Sequence, residues 1–81
     1  MNYTVYILKS SKDNKRYIGC TKNILRRLDE HNKGLVKSTR NRRPLELIYN
    51  KEFENKSDAF ARERFFKSGK GREFLDKNNI K

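Results

Sequence analysis

Eighty-one residues carry 21 Lys and Arg against ten Asp and Glu, a formal charge of +11, so the expectation is one small basic domain, residues 1–81, with a polyanionic partner. Only 33% of the residues are hydrophobic, which limits the core to one compact cluster with no separate cofactor domain, yet five Phe and four Tyr argue against a disordered chain. The lone Cys20 excludes an intramolecular disulfide and a thiolate zinc site, and no signal-peptide or membrane-spanning stretch is seen, so the expected location is cytoplasmic with no membrane partner.

Tyr3 to Lys9, rich in β-branched and aromatic residues, is predicted as a strand with Tyr3, Val5 and Ile7 on one face and Tyr6 and Leu8 on the other. Ser10 to Lys15 has turn composition, and Arg16 to Cys20 completes an antiparallel hairpin whose two faces both look partly buried. A first helix is expected over Thr21 to Asn32, capped by Thr21 or Asn23 and stopped by Gly34, with Ile24, Leu25 and Leu28 as its apolar stripe. A basic loop from Lys33 to Arg43 ends at Pro44. Leu45 to Phe53 is the third strand, with Leu45, Leu47 and Tyr49 alternating against Glu46, Ile48 and Asn50. A second helix starts near Asn55 to Ser57 and runs to about Ser68. Gly69-Lys70-Gly71 should break it before a short terminal helix over Arg72 to Asn78. The order β-β-α-β-α-α gives an α+β fold with a small three-stranded antiparallel sheet flanked by helices.

Several polar residues stand where the pattern asks for apolar ones. In the second helix Glu63 lies in the middle of the arc formed by Ala59, Phe60 and Phe66, with Lys67 near its edge. A carboxylate so placed needs an ion pair, hydrogen bonds or a metal. An i,i+4 pair with Lys67 and a functional carboxylate both satisfy that requirement. In the first helix His31, the sole histidine, projects over the arc of Ile24 and Leu28, four residues from Arg27. It reads either as a satisfied boundary residue or as part of a site. Tyr6 and Tyr17, one per hairpin strand, can share a face, and Gly19 marks a close approach, a bulge or a strand end. Lys33, Lys37, Arg40, Arg42 and Arg43 fall within eleven positions that contain no acid, and Lys67, Lys70 and Arg72 form a second group. Such side chains suit phosphate contacts, which position a protein without reading sequence.

Taken together, these residues resemble a known family. Val5-Tyr6-Ile7, ten intervening residues and Tyr17-Ile18-Gly19 are similar to the GIY-YIG nuclease domain, with Val5 in place of the first glycine. Similarity continues through Asn23-Ile24-Leu25-Arg26-Arg27-Leu28, His31-Asn32-Lys33-Gly34, Ser38-Thr39-Arg40, Arg43-Pro44-Leu45, Ala61-Arg62-Glu63 and Lys67. It covers about residues 3 to 75 and most resembles short stand-alone proteins like the N-terminal nuclease domain of the excinuclease C protein. The resemblance implies a metal-dependent endonuclease acting on DNA more than RNA, structure- or damage-directed as in DNA repair, with Mg²⁺ or Mn²⁺. It implies Glu63 as metal ligand, Arg27 as the group that stabilises charge on the scissile phosphate, Tyr6 and Tyr17 as site-lining phenols, and His31 close by. One tyrosine would orient or activate water, its high pKa drawn down by Arg27 and the metal. The alternatives are a catalytically weak or inactive nucleic-acid-binding module and a basic adaptor for an acidic protein. Larger family members add a late polar residue, for which Asn78 is the nearest candidate.

Overall fold

The computed structural model describes residues 2–80. Strands β1 (Tyr3–Ser10), β2 (Arg16–Thr21) and β3 (Leu45–Phe53) form one antiparallel sheet in the order β2-β1-β3. Helices α1 (Ile24–Asn32), α2 (Lys56–Lys67) and α3 (Gly69–Lys77) complete the expected β-β-α-β-α-α order. Among the described residues no helix is long and apolar enough to cross a membrane.

The central position of β1 explains why its sequence is apolar on both faces. Val5 and Ile7 pack with Ala59 and Phe66 of α2 and Leu75 of α3. On the other side Tyr6 and Leu8 pack with Leu45, and with Ile24 and Leu28 of α1. Each large apolar side chain so buried contributes about 1.5–3 kcal/mol. The stacking of Tyr49 edge-on against Phe66, with ring centroids 5.2 Å apart, ties β3 to α2. Phe60 departs from the expected buried arc. It is 41% exposed, with the Lys56 ammonium over its ring.

Three boundaries differ from expectation for identifiable reasons. Ile7 pairs with Tyr49 but Leu8 with Leu47, so β3 carries a bulge and the Leu45–Leu47–Tyr49 alternation breaks. Leu45 and Leu47 stay with Tyr6, whereas Tyr49 joins the Ile7 side. Thr21 belongs to β2, and Asn23 alone caps α1, its side chain accepting from the Arg26 amide at 3.0 Å. The glycines at 69 and 71 begin α3 instead of separating it from α2: Ser68 ends one helix and caps the next through the Gly71 amide at 3.2 Å. A Cβ at Gly71 would stand 1.8 Å from the Phe65 carbonyl oxygen, so glycine permits the contact between the two helices.

Candidate active site

On the Tyr6 face of the sheet, two strands and one helix bring together four of the side chains expected in the site. Tyr6 pairs across the hairpin with Gly19, and a Cβ at Gly19 would meet the Tyr6 hydroxyl at 2.5 Å. Of the readings open for that glycine, close approach is the one realised: the hydroxyl end of the phenol lies against β2 at Gly19. Tyr17 sits diagonally beside it, ring centroids 6.4 Å apart. The last turn of α1 presents His31 to both rings, at 5.8 Å from Tyr6 and 5.0 Å from Tyr17. Arg27, one turn earlier, faces the same cluster.

These groups form a hydrogen-bonded chain whose direction can be worked out. Arg27 Nε donates to Tyr6 Oη at 3.4 Å, and Tyr6 Oη lies 3.0 Å from His31 Nε2. His31 Nδ1 lies 2.7 Å from Thr39 Oγ1, and the Thr39 hydroxyl donates to the Val36 carbonyl at 3.5 Å. Since Thr39 donates onward, its oxygen accepts from His31 Nδ1–H. His31 Nε2 then accepts the hydrogen bond that the Tyr6 hydroxyl donates. Every buried donor and acceptor is satisfied in this arrangement, with Tyr6 only 1% exposed and His31 and Thr39 fully buried.

Burial sets the charge states. It raises the Tyr6 phenol above its ordinary pKa, outweighing the Arg27 hydrogen bond that lowers it. Arg27 draws this phenol down as expected, through its hydrogen bond and its charge, but burial is the larger effect at Tyr6. Burial also lowers His31, helped by the neighbouring Arg27 charge and opposed by Glu30. The imidazole is thus neutral at neutral pH, as its acceptor role toward Tyr6 requires. Arg27 is raised, chiefly by its hydrogen bond to Tyr6, and pairs with Glu30 at 3.2 Å. The cluster therefore offers one fixed cation beside a neutral phenol, Tyr6, and a neutral imidazole, His31.

Glu63 comes from the opposite side of the sheet, since α2 packs on Val5 and Ile7. Its carboxylate nonetheless helps to raise both the Tyr6 phenol and the Cys20 thiol, for each of which burial is the larger cause. It is 21% exposed and accepts from Lys67 Nζ at 2.9 Å. The i,i+4 ion pair is therefore formed, on a carboxylate whose charge still reaches the phenol. Among the described residues no three His, Cys, Asp or Glu side chains form a cage for a metal ion.

The basic residues divide by what already holds them. Lys37, Arg40, Lys70 and Arg72 are exposed. Arg42 is pinned, donating to Asp13 Oδ2 at 2.9 Å and to the carbonyls of Lys15 and Arg16 at 3.2 and 3.4 Å. Arg43 Nε donates to the Arg40 carbonyl at 2.8 Å, and Lys67 is held by Glu63. Sequence reasoning assigned no role to Thr39, Asn32 or Ser10. The Asn32 side chain bonds both the amide and the carbonyl of Leu45, at 2.9 and 3.0 Å, joining α1 to β3. The buried Ser10 hydroxyl donates to the Arg42 carbonyl at 2.6 Å and holds the basic loop against the hairpin. Thr39 and Asn32 had a signal only as members of the Ser38-Thr39-Arg40 and His31-Asn32-Lys33-Gly34 matches.

Comparison with known proteins finds relatives over nearly the whole chain. Residues 2–78 match the model of the GIY-YIG catalytic domain. The chain is 48% identical over 68 residues to a UPF0213 protein of Clostridium perfringens, covering 83% of this chain and 71% of that one. It is 42% identical over 79 residues to a UPF0213 protein of Pediococcus pentosaceus, covering 93% and 82% respectively. The solution structure of a UPF0213 protein from Bacillus halodurans superposes with a TM-score of 0.59 at 35% identity, covering 95% of this chain and 84% of that one.

Proposed function

The chain belongs to the GIY-YIG family, and on that premise we propose that it is an endonuclease that hydrolyses phosphodiester bonds, in DNA rather than RNA, with Mg²⁺ or Mn²⁺. The observation that carries this reading is the cluster of Arg27, Tyr6, Tyr17 and neutral His31 around one end of α1. A fixed cation and a phenol at the surface of a desolvated cluster suit a phosphate diester whose transition state gains negative charge.

Glu63 would hold the cation. A single, partly exposed carboxylate fits a hard, largely hydrated cation; it does not fit a closed protein cage. Bound there, the cation would supply charge relief to the phosphoryl oxygens. A cation on Glu63 would compete with Lys67, whose ammonium, once displaced, would be available to a neighbouring phosphate.

The remaining steps belong to this chain's own side chains. Arg27, held by Tyr6 and Glu30, presents its planar donors to the non-bridging oxygens. Tyr6 is a positioning residue, neutral and enclosed. Tyr17, half-buried, stands outside the Arg27–Tyr6–His31–Thr39 chain, so it is the phenol that meets the attacking water. Its oxygen accepts the water's proton as its own proton passes to solvent, which avoids a free phenolate. The leaving oxygen takes a proton from solvent. The exposed cations Lys37, Arg40, Lys70 and Arg72 contact phosphates, so selectivity follows nucleic-acid shape, as a structure- or damage-directed enzyme requires.

A second reading, an inactive nucleic-acid-binding module, is favoured by one observation: Lys67 occupies the Glu63 carboxylate. A panel of branched, nicked, damaged and single-stranded DNA and RNA, with Mg²⁺ or Mn²⁺, separates the two. Wild type should nick DNA, and Glu63→Ala and Arg27→Ala should bind without nicking. Equal cutting by both variants refutes the nuclease assignment, and binding without cutting by wild type selects the second reading.

A further inference from the structure

Behind the sheet, on the face opposite Tyr6 and His31, lies a groove of about 700 Å³ between the β1–β2 hairpin and helices α2 and α3. Its floor is apolar, from Ile18 and Phe66. Its rim is basic: Lys9, Lys15, Arg16, Lys67 and Arg72 line it with one acid, Asp76. Arg16 pairs with Asp76 and donates to the Ile80 carbonyl at 3.0 Å, which fastens α3 to the hairpin. Lys9, Lys15 and Arg72 make no ion pair among the described residues. The one acid is therefore already used, and the groove keeps a net positive charge.

Two features connect this groove to the candidate site. Lys67 lines the groove and also bonds Glu63, one helical turn away. β2 is an edge strand whose alternate residues face opposite ways, with Tyr17 toward the His31 cluster and Arg16 and Ile18 toward the groove. A chain of phosphates lying along that edge would meet the phenols on one side and the basic rim on the other. Lys67, once released from Glu63, would bridge them.

We propose that the Lys9–Lys15–Arg72 groove is a second binding site for nucleic-acid backbone phosphates, gripping the strand beside the one that is cut, with Lys67 linking the two sites. This rests on the nuclease reading above. Phosphate contacts of this kind add affinity and salt dependence without sequence preference.

The test compares Lys15→Glu/Arg72→Glu with Lys51→Glu/Arg64→Glu, an equal charge change at exposed cations that do not line the groove. Binding of fluorescent single-stranded and duplex DNA is measured without divalent cation over a range of salt. The groove pair should weaken duplex binding roughly tenfold or more at 0.1 M salt and flatten the log–log salt slope by about 0.9 for each phosphate no longer engaged. The control pair should fall well short of both changes. Equal effects from the two pairs overturn the groove while leaving the nuclease reading untouched. No DNA binding by wild type overturns both. Inorganic pyrophosphate serves as the small-anion probe, followed by amide shifts of residues 15 and 72. Saturation at micromolar concentration, with no difference between the pairs on DNA, would assign the groove to a free anion and overturn the proposal.

Discussion

Replacing Thr39 by valine keeps the shape of the side chain and removes the oxygen that accepts from His31 Nδ1 at 2.7 Å. Both residues are fully buried, so no water replaces the missing partner. An unpaired buried N–H costs roughly 1–3 kcal/mol. For a chain of this size, whose whole stability is on the order of 4–12 kcal/mol, that is a large fraction. At about 4–8 °C per kcal/mol, Tm should fall by on the order of 5–20 °C. Thermal unfolding followed by circular dichroism measures the loss, and nitrogen shifts of the His31 ring report its tautomer. In wild type the proton should reside on Nδ1; in Thr39→Val that preference should weaken. A variant with unchanged Tm and an unchanged tautomer would refute the hydrogen-bond direction assigned to the buried chain.

Other perturbations probe separate parts of the molecule. Gly19→Ala places a Cβ 2.5 Å from the Tyr6 hydroxyl and must displace that ring, so it should abolish nicking and lower the urea midpoint; near-normal values of both would show that the close approach is dispensable. His31 is held below its ordinary pKa by burial, so the unfolded chain binds its proton first as pH falls. Its contribution is complete above about pH 6.5 and is lost as pH drops through the folded value, so urea midpoints should fall from pH 7.5 toward pH 5, and a slope of opposite sign contradicts the neutral imidazole. Arg42→Ala should lower stability by about 1–3 kcal/mol with less effect on DNA affinity than Arg40→Ala, because Arg42 is bound to Asp13 and two carbonyls. The reverse order would restore Arg42 as a phosphate contact.

The sheet and helices were legible because their apolar periods are strong: β1 reads as a strand with two buried faces, and it is the central strand. The β3 bulge was not, because Ile48 and Tyr49 are both apolar and either register buries one of them. Gly69 and Gly71 read as a break from their poor helix propensity; the contact that requires glycine, against the Phe65 carbonyl, exists only once α3 has folded back on α2. In the site, hairpin pairing suggested that Tyr6 and Tyr17 share a face, and helical spacing put Arg27 with His31. Thr39 was illegible because its partner is eight residues away across a loop, and a threonine there carries no periodic signal. Arg42 looks in sequence like its basic neighbours, and only the turn around Ser10 explains why it points inward.

The nuclease reading is tested most directly by single-turnover nicking of a branched DNA duplex with Mn²⁺, comparing wild type with Arg27→Ala after both are shown to be folded. Loss of one preorganised donor to the phosphate should slow the wild-type rate by about 10²–10³-fold while DNA binding persists. Nicking by Arg27→Ala at the wild-type rate would contradict it.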